Sequence, residues 1–355
     1  MALSTDLPAT EMASKDPTHA SPMTTLTSPI DLLSAVPFMI GFTPEDSLVV
    51  MGLRSESVEV AMRIDFPDTI DPDQISVIVN HLRTNQIEEA LLVSYIPDAV
   101  TDADVVIKAL SDALESGGFP LRESLIVVAG RWRSLVCGDS DCCPMEGQPL
   151  PSLDSSRIAA EQIALGHPLP YLDERSMVEA LEPFPADPEI DSWIASIPEL
   201  DYETEHQSGQ REGAEALVDF VGDFSTDGIC RDKRLIALLL VRLRDLQVRD
   251  FALGSVNEER FQNYFDSYRW LLRSAPQGYV APIASIFAAI CYERGDGAMA
   301  QRVLNRALDD DREYPLATLL REVFTRGKRP EIFREMRQEL HPKVCEAIFG
   351  STIQA

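Results

Sequence analysis

Hydrophobic and polar residues alternate in the first third of the chain, which is the period of half-buried β-strands. One face of the clearest example carries Val58, Val60, Met62, Ile64 and Phe66. The more apolar run Ser47–Leu53 predicts a buried strand before it, and the turn at Ser55–Ser57 joins the two as a hairpin. Further strands are predicted over Glu89–Ile96 and Glu123–Val136, the latter interrupted by a turn at Gly130.

Helical spacing of apolar residues appears between these strands. The segment SPIDLLSAV predicts a short helix with Ser28 as its N-cap and Pro29 at its first position, and Pro37 is expected to turn the chain after it. Amphipathic helices are predicted over Pro72–Asn85 and over residues 101–118. The order β-β-α-β-α-β-β predicts one mixed sheet with helices packed on it.

From Ser155 onward the apolar residues recur at helical spacing, and no strand is predicted. Short helices are expected in SSRIAAEQIALG, DERSMVEALE and PEIDSWIASI. The acidic stretch Pro198–Gly213 is either a linker or the start of a solvated helix. The rest predicts a helical array over Glu212–Phe224, Asp232–Arg249, Asn257–Ser274, Tyr279–Arg294, Gly297–Asp310, Pro315–Arg326 and Pro330–Leu340.

These patterns predict an α/β domain followed by an all-α helical domain. Residues 1–27 are rich in Ser, Thr and Pro and are expected to be a disordered leader. Residues 28–153 form the α/β domain with a Cys-rich loop, residues 154–230 a helical connector with the acidic stretch, and residues 231–345 the helical domain.

The charge balance narrows the classes of partner. With 31 Lys and Arg against 58 Asp and Glu the net charge is −27, which argues against nucleic acid and anionic membranes as partners. The acidic excess is greatest between Asp139 and Asp227, where it is either a solvated face or a docking surface for a basic protein. The most apolar run, Leu235–Val241, is far shorter than the roughly 20 residues that a membrane span needs, so it predicts a buried helix.

The N-terminus lacks the basic head and apolar core of a signal peptide. A cytoplasmic protein is therefore expected, in which the six cysteines are reduced thiols.

Three of those cysteines, Cys137, Cys142 and Cys143, lie within the loop GRWRSLVCGDSDCCPMEGQPLP. A structural zinc ion needs four ligands and the loop offers three sulfurs, while His167 and Cys230 stand at no characteristic spacing as a fourth. Zinc is thus one alternative and a purely structural loop that closes the sheet edge is another.

Thiol chemistry is the third alternative for this loop. Arg131 and Arg133 precede the cysteines and would lower a thiol pKa, whereas Asp139 and Asp141 would oppose them. Trp132 lies between the two arginines, where its indole either stacks on a ligand beside an anion held by the arginines or is simply core.

Arg63 and Asp65 are predicted to share one face of a strand. They form either a cross-strand ion pair or a catalytic Asp with a positioning Arg. A phosphate-binding loop of the types GxGxxG or GxxxxGK[ST] does not occur in the sequence. A pocket hypothesis requires Arg63, Asp65 and Trp132 to converge with the cysteine loop on one cavity.

Several blocks resemble a known family. They are SPIDLLSAVPFMIGFTPEDSLVVMGL, MRIDFPD, the cysteine loop, VRDFAL and YVAPIASIFAAICYERGDGAMAQRVLNRALDDD. They are similar to the uncharacterised bacterial domain-of-unknown-function family 4192, known chiefly from actinobacteria, over about Ser28–Phe333. The resemblance implies a continuous fold and a bacterial cytoplasmic origin, and it implies no reaction.

The C-terminal part also resembles one tetratricopeptide unit of about 34 residues beginning at Ala281. Small or apolar positions of that pattern are filled by Gly295, Ala300, Leu304 and Ala307. Ala284 and Arg312 depart from it, at positions where the pattern has Trp and Pro.

The preferred functional hypothesis is a non-catalytic interaction or regulatory module that binds a protein partner through the helical domain or the acidic segment. One alternative is an enzyme or small-ligand binder with the pocket described above. The other is a protein whose loop a metal ion stabilises.

Overall fold

The computed structural model describes residues 24–198, 205–328 and 330–350. Most of the predicted leader, residues 1–27, and part of the acidic stretch therefore lie outside the described residues. The strands are β1 (Ser47–Arg54), β2 (Ser57–Asp65), β3 (Glu89–Tyr95), β4 (Leu121–Val128), β5 (Arg131–Ser134) and β6 (Gln148–Pro149). The first seven helices are α1 (Pro29–Ile40), α2 (Pro72–Thr84), α3 (Ala103–Ser116), α4 (Arg157–Ala164), α5 (Glu174–Glu179), α6 (Pro188–Ser196) and α7 (His206–Asp227). The next seven are α8 (Lys233–Arg242), α9 (Leu246–Gly254), α10 (Phe261–Ser274), α11 (Val280–Glu293), α12 (Gly297–Asp310), α13 (Pro315–Thr325) and α14 (Glu331–Phe349).

The strands form one mixed sheet in the order β2-β1-β3-β4-β5-β6. The pair β3 and β4 is parallel, because α3 carries the chain back across the sheet, and the other neighbours are antiparallel. The predicted fold class, an α/β part followed by a helical part, is confirmed. The two-residue strand β6 was not predicted, since Gln148 and Pro149 carry no strand periodicity.

Both faces of the sheet are covered. Leu48 and Val50 of β1 belong to a hydrophobic cluster that α2 and α3 complete. Val49 and Met51 point to the opposite face, into a larger cluster that includes α1 and residues of the helical part. Burial on both faces explains why β1 and β3 are almost continuously apolar rather than alternating.

The helical part surrounds α11, which is buried along nearly its whole length. Its alanines allow close approach of α12, where Ala300 and Ala307 are fully buried. The run predicted as a buried helix, Leu235–Val241, lies in α8 as expected. Among the residues that the structure describes, no helix has both the length and the hydropathy that a membrane span requires.

Two local predictions were wrong. Pro37 does not turn the chain: α1 continues to Ile40, because buried apolar residues hold it against the core, and it ends at Gly41. The predicted helix Asp232–Arg249 is two helices, because the Asp245 carboxylate accepts hydrogen bonds from Gln247 and Val248 and so caps α9.

Two other helices are longer than their patterns predicted. The acidic stretch becomes helical at His206, where α7 begins, and α14 continues past Leu340 to Phe349.

Candidate metal centre

The cysteine loop starts from a fixed point at the end of β5. The hydroxyl of Ser134 accepts hydrogen bonds from the backbone N–H groups of Val136 (3.1 Å) and Cys137 (2.9 Å). It donates its own proton to the Glu123 carboxylate on β4, at 2.7 Å. The backbone of Cys137 is therefore tied to two strands of the sheet.

A turn built on Asp139 brings the second half of the loop back over the first. The Asp139 side chain accepts from the N–H of Asp141 at 2.9 Å, and its carbonyl accepts from the N–H of Cys143 at 2.8 Å. The side-chain amide of Gln148 donates to the carbonyl of Cys142 at 3.2 Å. These bonds hold Cys142 and Cys143 near Cys137.

The loop returns to the sheet through Gly147, which has a φ of +73°. A Cβ at this position would lie 2.9 Å from the carbonyl oxygen of Trp132, so glycine is required for the close approach. Arg131 donates from Nε to the carbonyl of Glu146 at 2.7 Å and from its terminal nitrogen to that of Gly147 at 2.6 Å. Arg131, a predicted anion ligand, thus holds the loop closed.

The outcome is a cluster of three thiols. The Sγ atoms of Cys137, Cys142 and Cys143 all lie within 4.8 Å of one another. Tetrahedral zinc with Zn–S bonds of about 2.3 Å needs S–S separations of about 3.8 Å, up to about 1 Å shorter than the limit of 4.8 Å observed here. Cys137 and Cys142 are exposed and Cys143 is half-buried, and all three are free thiols.

The two neighbouring thiols also affect the ionisation of Cys142. The pKa of Cys142 is raised to about 11, chiefly by the hydrogen bond and charge of Cys143 and then by those of Cys137. A thiolate here would lie beside other developing thiolates, and that repulsion favours the neutral thiol. A bound cation would reverse this preference, since it neutralises the repulsion and stabilises the deprotonated form.

No fourth protein ligand joins the cluster among the described residues. His167, a predicted candidate, is exposed, and Cys230, the other, is buried in the main core. An ion held by the three sulfurs would therefore need its fourth ligand from outside the described residues.

Trp132 occupies the opposite side of β5 from the arginines that flank it. Its side chain is 5% exposed and belongs to the main hydrophobic cluster. The indole Nε1 is buried without a hydrogen-bond partner among the described residues. Arg133 is half-buried on the other face of the strand. This placement makes Trp132 part of the core beneath the loop rather than of the thiol cluster.

Arg63 and Asp65 lie at the other end of the sheet. They form an ion pair of 2.8 Å within the one strand β2, rather than across strands. Arg63 also donates to the Ser47 hydroxyl at 2.9 Å and pairs with Glu174 of α5 at 3.0 Å. Together with Glu174 it lines a cavity of about 560 Å³ between the sheet edge and the helical part.

The structure does not bring Arg63 and Asp65 together with Trp132 and the cysteine loop. Strands β1, β3 and β4 separate β2 from β5. At the usual spacing of strands, Arg63 and Trp132 are on the order of 19 Å apart. The contacts that shape the loop, those of Ser134, Glu123 and Asp139, carry no signal in the sequence beyond the turn-forming tendency of Asp.

A protein-family model described as "Domain of unknown function (DUF4192)" matches residues 29–331. The family resemblance of the quoted blocks is thereby confirmed, over nearly the range that the sequence indicated. No curated protein and no solved structure matches the chain.

Proposed function

The chain belongs to the DUF4192 family, a domain of unknown function, and from the geometry of its loop we propose that it binds a thiophilic metal ion through Cys137, Cys142 and Cys143. The observation that carries this proposal is the convergence of three Sγ atoms within 4.8 Å. Hydrogen bonds to Ser134 and Asp139 hold the loop in that shape before any ion arrives. Such preorganisation lowers the entropy that binding must overcome.

Zinc is the ion that we propose. Thiolates are soft ligands that select zinc and copper(I), and zinc accepts the irregular geometry that two adjacent cysteines impose. An outside ligand such as water or a thiol completes the tetrahedron, since a fourth protein ligand is missing from the described part of the cluster. Three thiolates around Zn²⁺ leave a net charge of about −1, which weakens the acidity of a bound water. The site therefore suits reversible ion binding and ligand exchange rather than hydrolysis.

The test is a zinc titration of the reduced full-length protein after removal of metal with a chelator. A chromophoric competitor reports the free ion, and we expect one equivalent of zinc to bind. Each of the variants Cys137→Ser, Cys142→Ser and Cys143→Ser removes one thiolate and weakens binding by about 100-fold or more. Cobalt(II) substitution gives an independent readout, because its visible spectrum reports tetrahedral sulfur coordination.

Cys345→Ser is the matched control. Cys345 is a half-buried thiol on α14 that lies outside the cluster, so its loss leaves zinc affinity unchanged. The proposal fails if the wild-type protein binds less than about half an equivalent of zinc when the titration is complete. It also fails if Cys345→Ser weakens binding as much as Cys142→Ser does.

The broader role of an interaction or regulatory module, and the tetratricopeptide-like use of the helical hairpin, stay predictions. The exposed apolar residues Leu135, Val136 and Met145 border the thiol cluster in sequence. A protein partner that docked beside them would be well placed to supply the missing fourth ligand.

A further inference from the structure

A second cavity lies in the helical part, far along the chain from the cysteine loop. It has a volume of about 460 Å³ and forms where the segment between α5 and α6 crosses the ends of α10, α11 and α12. Phe184 and three prolines form apolar walls, at Pro183, Pro185 and Pro276. Two arginines, Arg273 of α10 and Arg306 of α12, line the same space.

The Arg273 side chain is held in place from two sides. Its Nε donates a hydrogen bond to the carbonyl of Glu182 at 2.7 Å. The guanidinium carbon lies 4.1 Å from the centre of the Phe184 ring. Phe184 is fixed in turn, since its backbone N–H donates to the carbonyl of Arg273 at 2.8 Å. The guanidinium is therefore preorganised before a ligand binds.

Arg306 is anchored beside it. One of its terminal nitrogens donates to the carbonyl of Leu181, the residue before Glu182. The two arginines donate to carbonyls of consecutive residues, and the charge of Arg273 acts on Arg306, so the two guanidinium groups lie near each other. Burial lowers the pKa of Arg306, the charge of Arg273 lowers it further, and the charges of Glu182 and Asp310 oppose that effect.

Neither guanidinium forms an ion pair with a carboxylate in the part of the chain that the structure describes. A guanidinium has five N–H donors, so most of those on Arg273 and Arg306 are left for a ligand. The charges of Glu182 and Asp310 act on Arg306 from beyond ion-pair distance, and an anion between the two guanidinium groups would pair with them directly.

The carboxylates around the cavity have other partners or lie at its rim. Asp310 accepts hydrogen bonds from the backbone N–H groups at the start of α11, those of Gly278, Val280 and Ala281. Asp187 pairs with Lys233 at 2.8 Å. The two remaining aspartates, Asp191 and Asp309, are exposed to solvent.

We propose that this cavity binds a small organic anion, a carboxylate or phosphate monoester with a short apolar body, between Arg273 and Arg306. The planar guanidinium matches the paired oxygens of both groups. Phe184 and the prolines contact the apolar body, in the manner of ligand pockets that combine apolar walls with a few fixed polar groups. The proposal is independent of the metal site.

Calorimetric titration of the full-length protein with phenyl phosphate and with benzoate tests it and separates the two anion types. We expect saturable binding of at least one probe with a dissociation constant of about 1 mM or tighter. Arg273→Gln and Arg306→Gln should each weaken that binding by about 10-fold or more, because each removes a charged donor. Arg302→Gln is the matched control, since Arg302 lies one turn earlier on α12 and pairs with Glu174 outside this cavity.

Both arginines also tie the 181–184 segment to the helices, so a variant that fails to fold would not decide the matter. Labelling of the wild-type protein with phenylglyoxal, followed by mass spectrometry, gives a second readout. A bound probe should protect Arg273 and Arg306 from modification and leave Arg302 reactive. The proposal is overturned if neither probe binds the wild-type protein, or if a probe binds without protecting either arginine.

Discussion

Gly41 and Asp296 are in direct contact although 254 intervening residues separate them in the sequence. Gly41 ends α1 with a φ of +88°, and a Cβ on it would lie 2.8 Å from Oδ1 of Asp296. Asp296 is buried, caps α12 through the N–H of Met299 and pairs with Arg294 at 2.9 Å. The contact joins two of the blocks that carry the family resemblance, and it connects the α/β part to the helical part.

Replacement of Gly41 by Ala should therefore destabilise the protein by about 2–4 kcal/mol, from backbone strain plus the clash with Asp296. Gly295→Ala is the matched control, because Gly295 has a φ of +86° but no atom within 4 Å of its added Cβ. It should cost only the strain, about 1 kcal/mol. Urea unfolding measures both; equal losses in the two variants would show that the contact with Asp296 contributes nothing.

Zinc affinity should rise with pH. Neighbouring thiols raise the pKa of Cys142 to about 11, so at neutral pH the ion must displace protons from the cluster. The apparent association constant should fall by between about 10-fold and 1,000-fold for each pH unit below the thiol pKa values, according to whether one or three protons are released. Competition titrations at several pH values, with proton release followed in weak buffer, measure this slope. An affinity independent of pH would be inconsistent with thiolate ligation.

Breaking the buried ion pair between Arg337 and Glu293 should strongly destabilise the protein. Their side chains are 4% and 3% exposed, and the Arg337 Nε lies 2.9 Å from Glu293 Oε2. Glu293→Met leaves a buried guanidinium without its counter-ion and should cost about 3–5 kcal/mol in the free energy of unfolding. The double variant Glu293→Met/Arg337→Met should recover part of that loss. A double variant less stable than Glu293→Met would contradict this view of the pair.

Stability should decline in mild acid because of His341. Burial and the charge of Arg337 lower the pKa of His341 below its usual value of 6.5. In the unfolded chain His341 therefore becomes protonated near pH 6.5, whereas in the folded protein it becomes protonated only at lower pH. The stability of the protein consequently falls as the pH drops through that value. His341→Met should flatten the unfolding free energy between about pH 7 and pH 5 relative to the wild type.

Chemical denaturation at several pH values measures this effect. An equally steep loss of stability in His341→Met and in the wild type would remove His341 as the cause.

Replacement of Asp65 should change the stability of the protein less than replacement of its partner Arg63. The Asp65 side chain is 85% exposed, so Asp65→Asn should change stability by less than about 0.5 kcal/mol. Arg63 is 17% exposed and contacts Ser47 and Glu174 as well, so Arg63→Met should cost about 1–2 kcal/mol. Chemical denaturation measures both, and the reverse order would restore a special role for the carboxylate.

The sequence predicted strands β1 to β5 because each of them has a local cause. In β2 the alternation of Val58, Val60 and Met62 follows from the pleat of a single strand and needs no knowledge of its neighbours. The split between α8 and α9 was missed, because apolar spacing continues through Leu243 and only the cap at Asp245 interrupts the helix.

The sequence predicted one part of the candidate site and missed another, again because only some of its causes are local. Cys137, Cys142 and Cys143 stand close in sequence, so their candidacy as a group was visible, whereas their convergence depends on hydrogen bonds from Ser134 and Asp139. Strand order decided that Arg63 and Trp132 lie apart, and local periodicity carries no information about which strands become neighbours.

The sequence by itself determined the succession of strands and helices, the apolar stripes that must be buried, and the family to which the chain belongs. Those properties depend on backbone periodicity and turn chemistry within a few residues. Only the tertiary structure decided which side chains meet: three sulfurs in one loop, Gly41 against Asp296, and two arginines on consecutive carbonyls. Such meetings depend on how distant segments pack, and packing is a property of the whole chain.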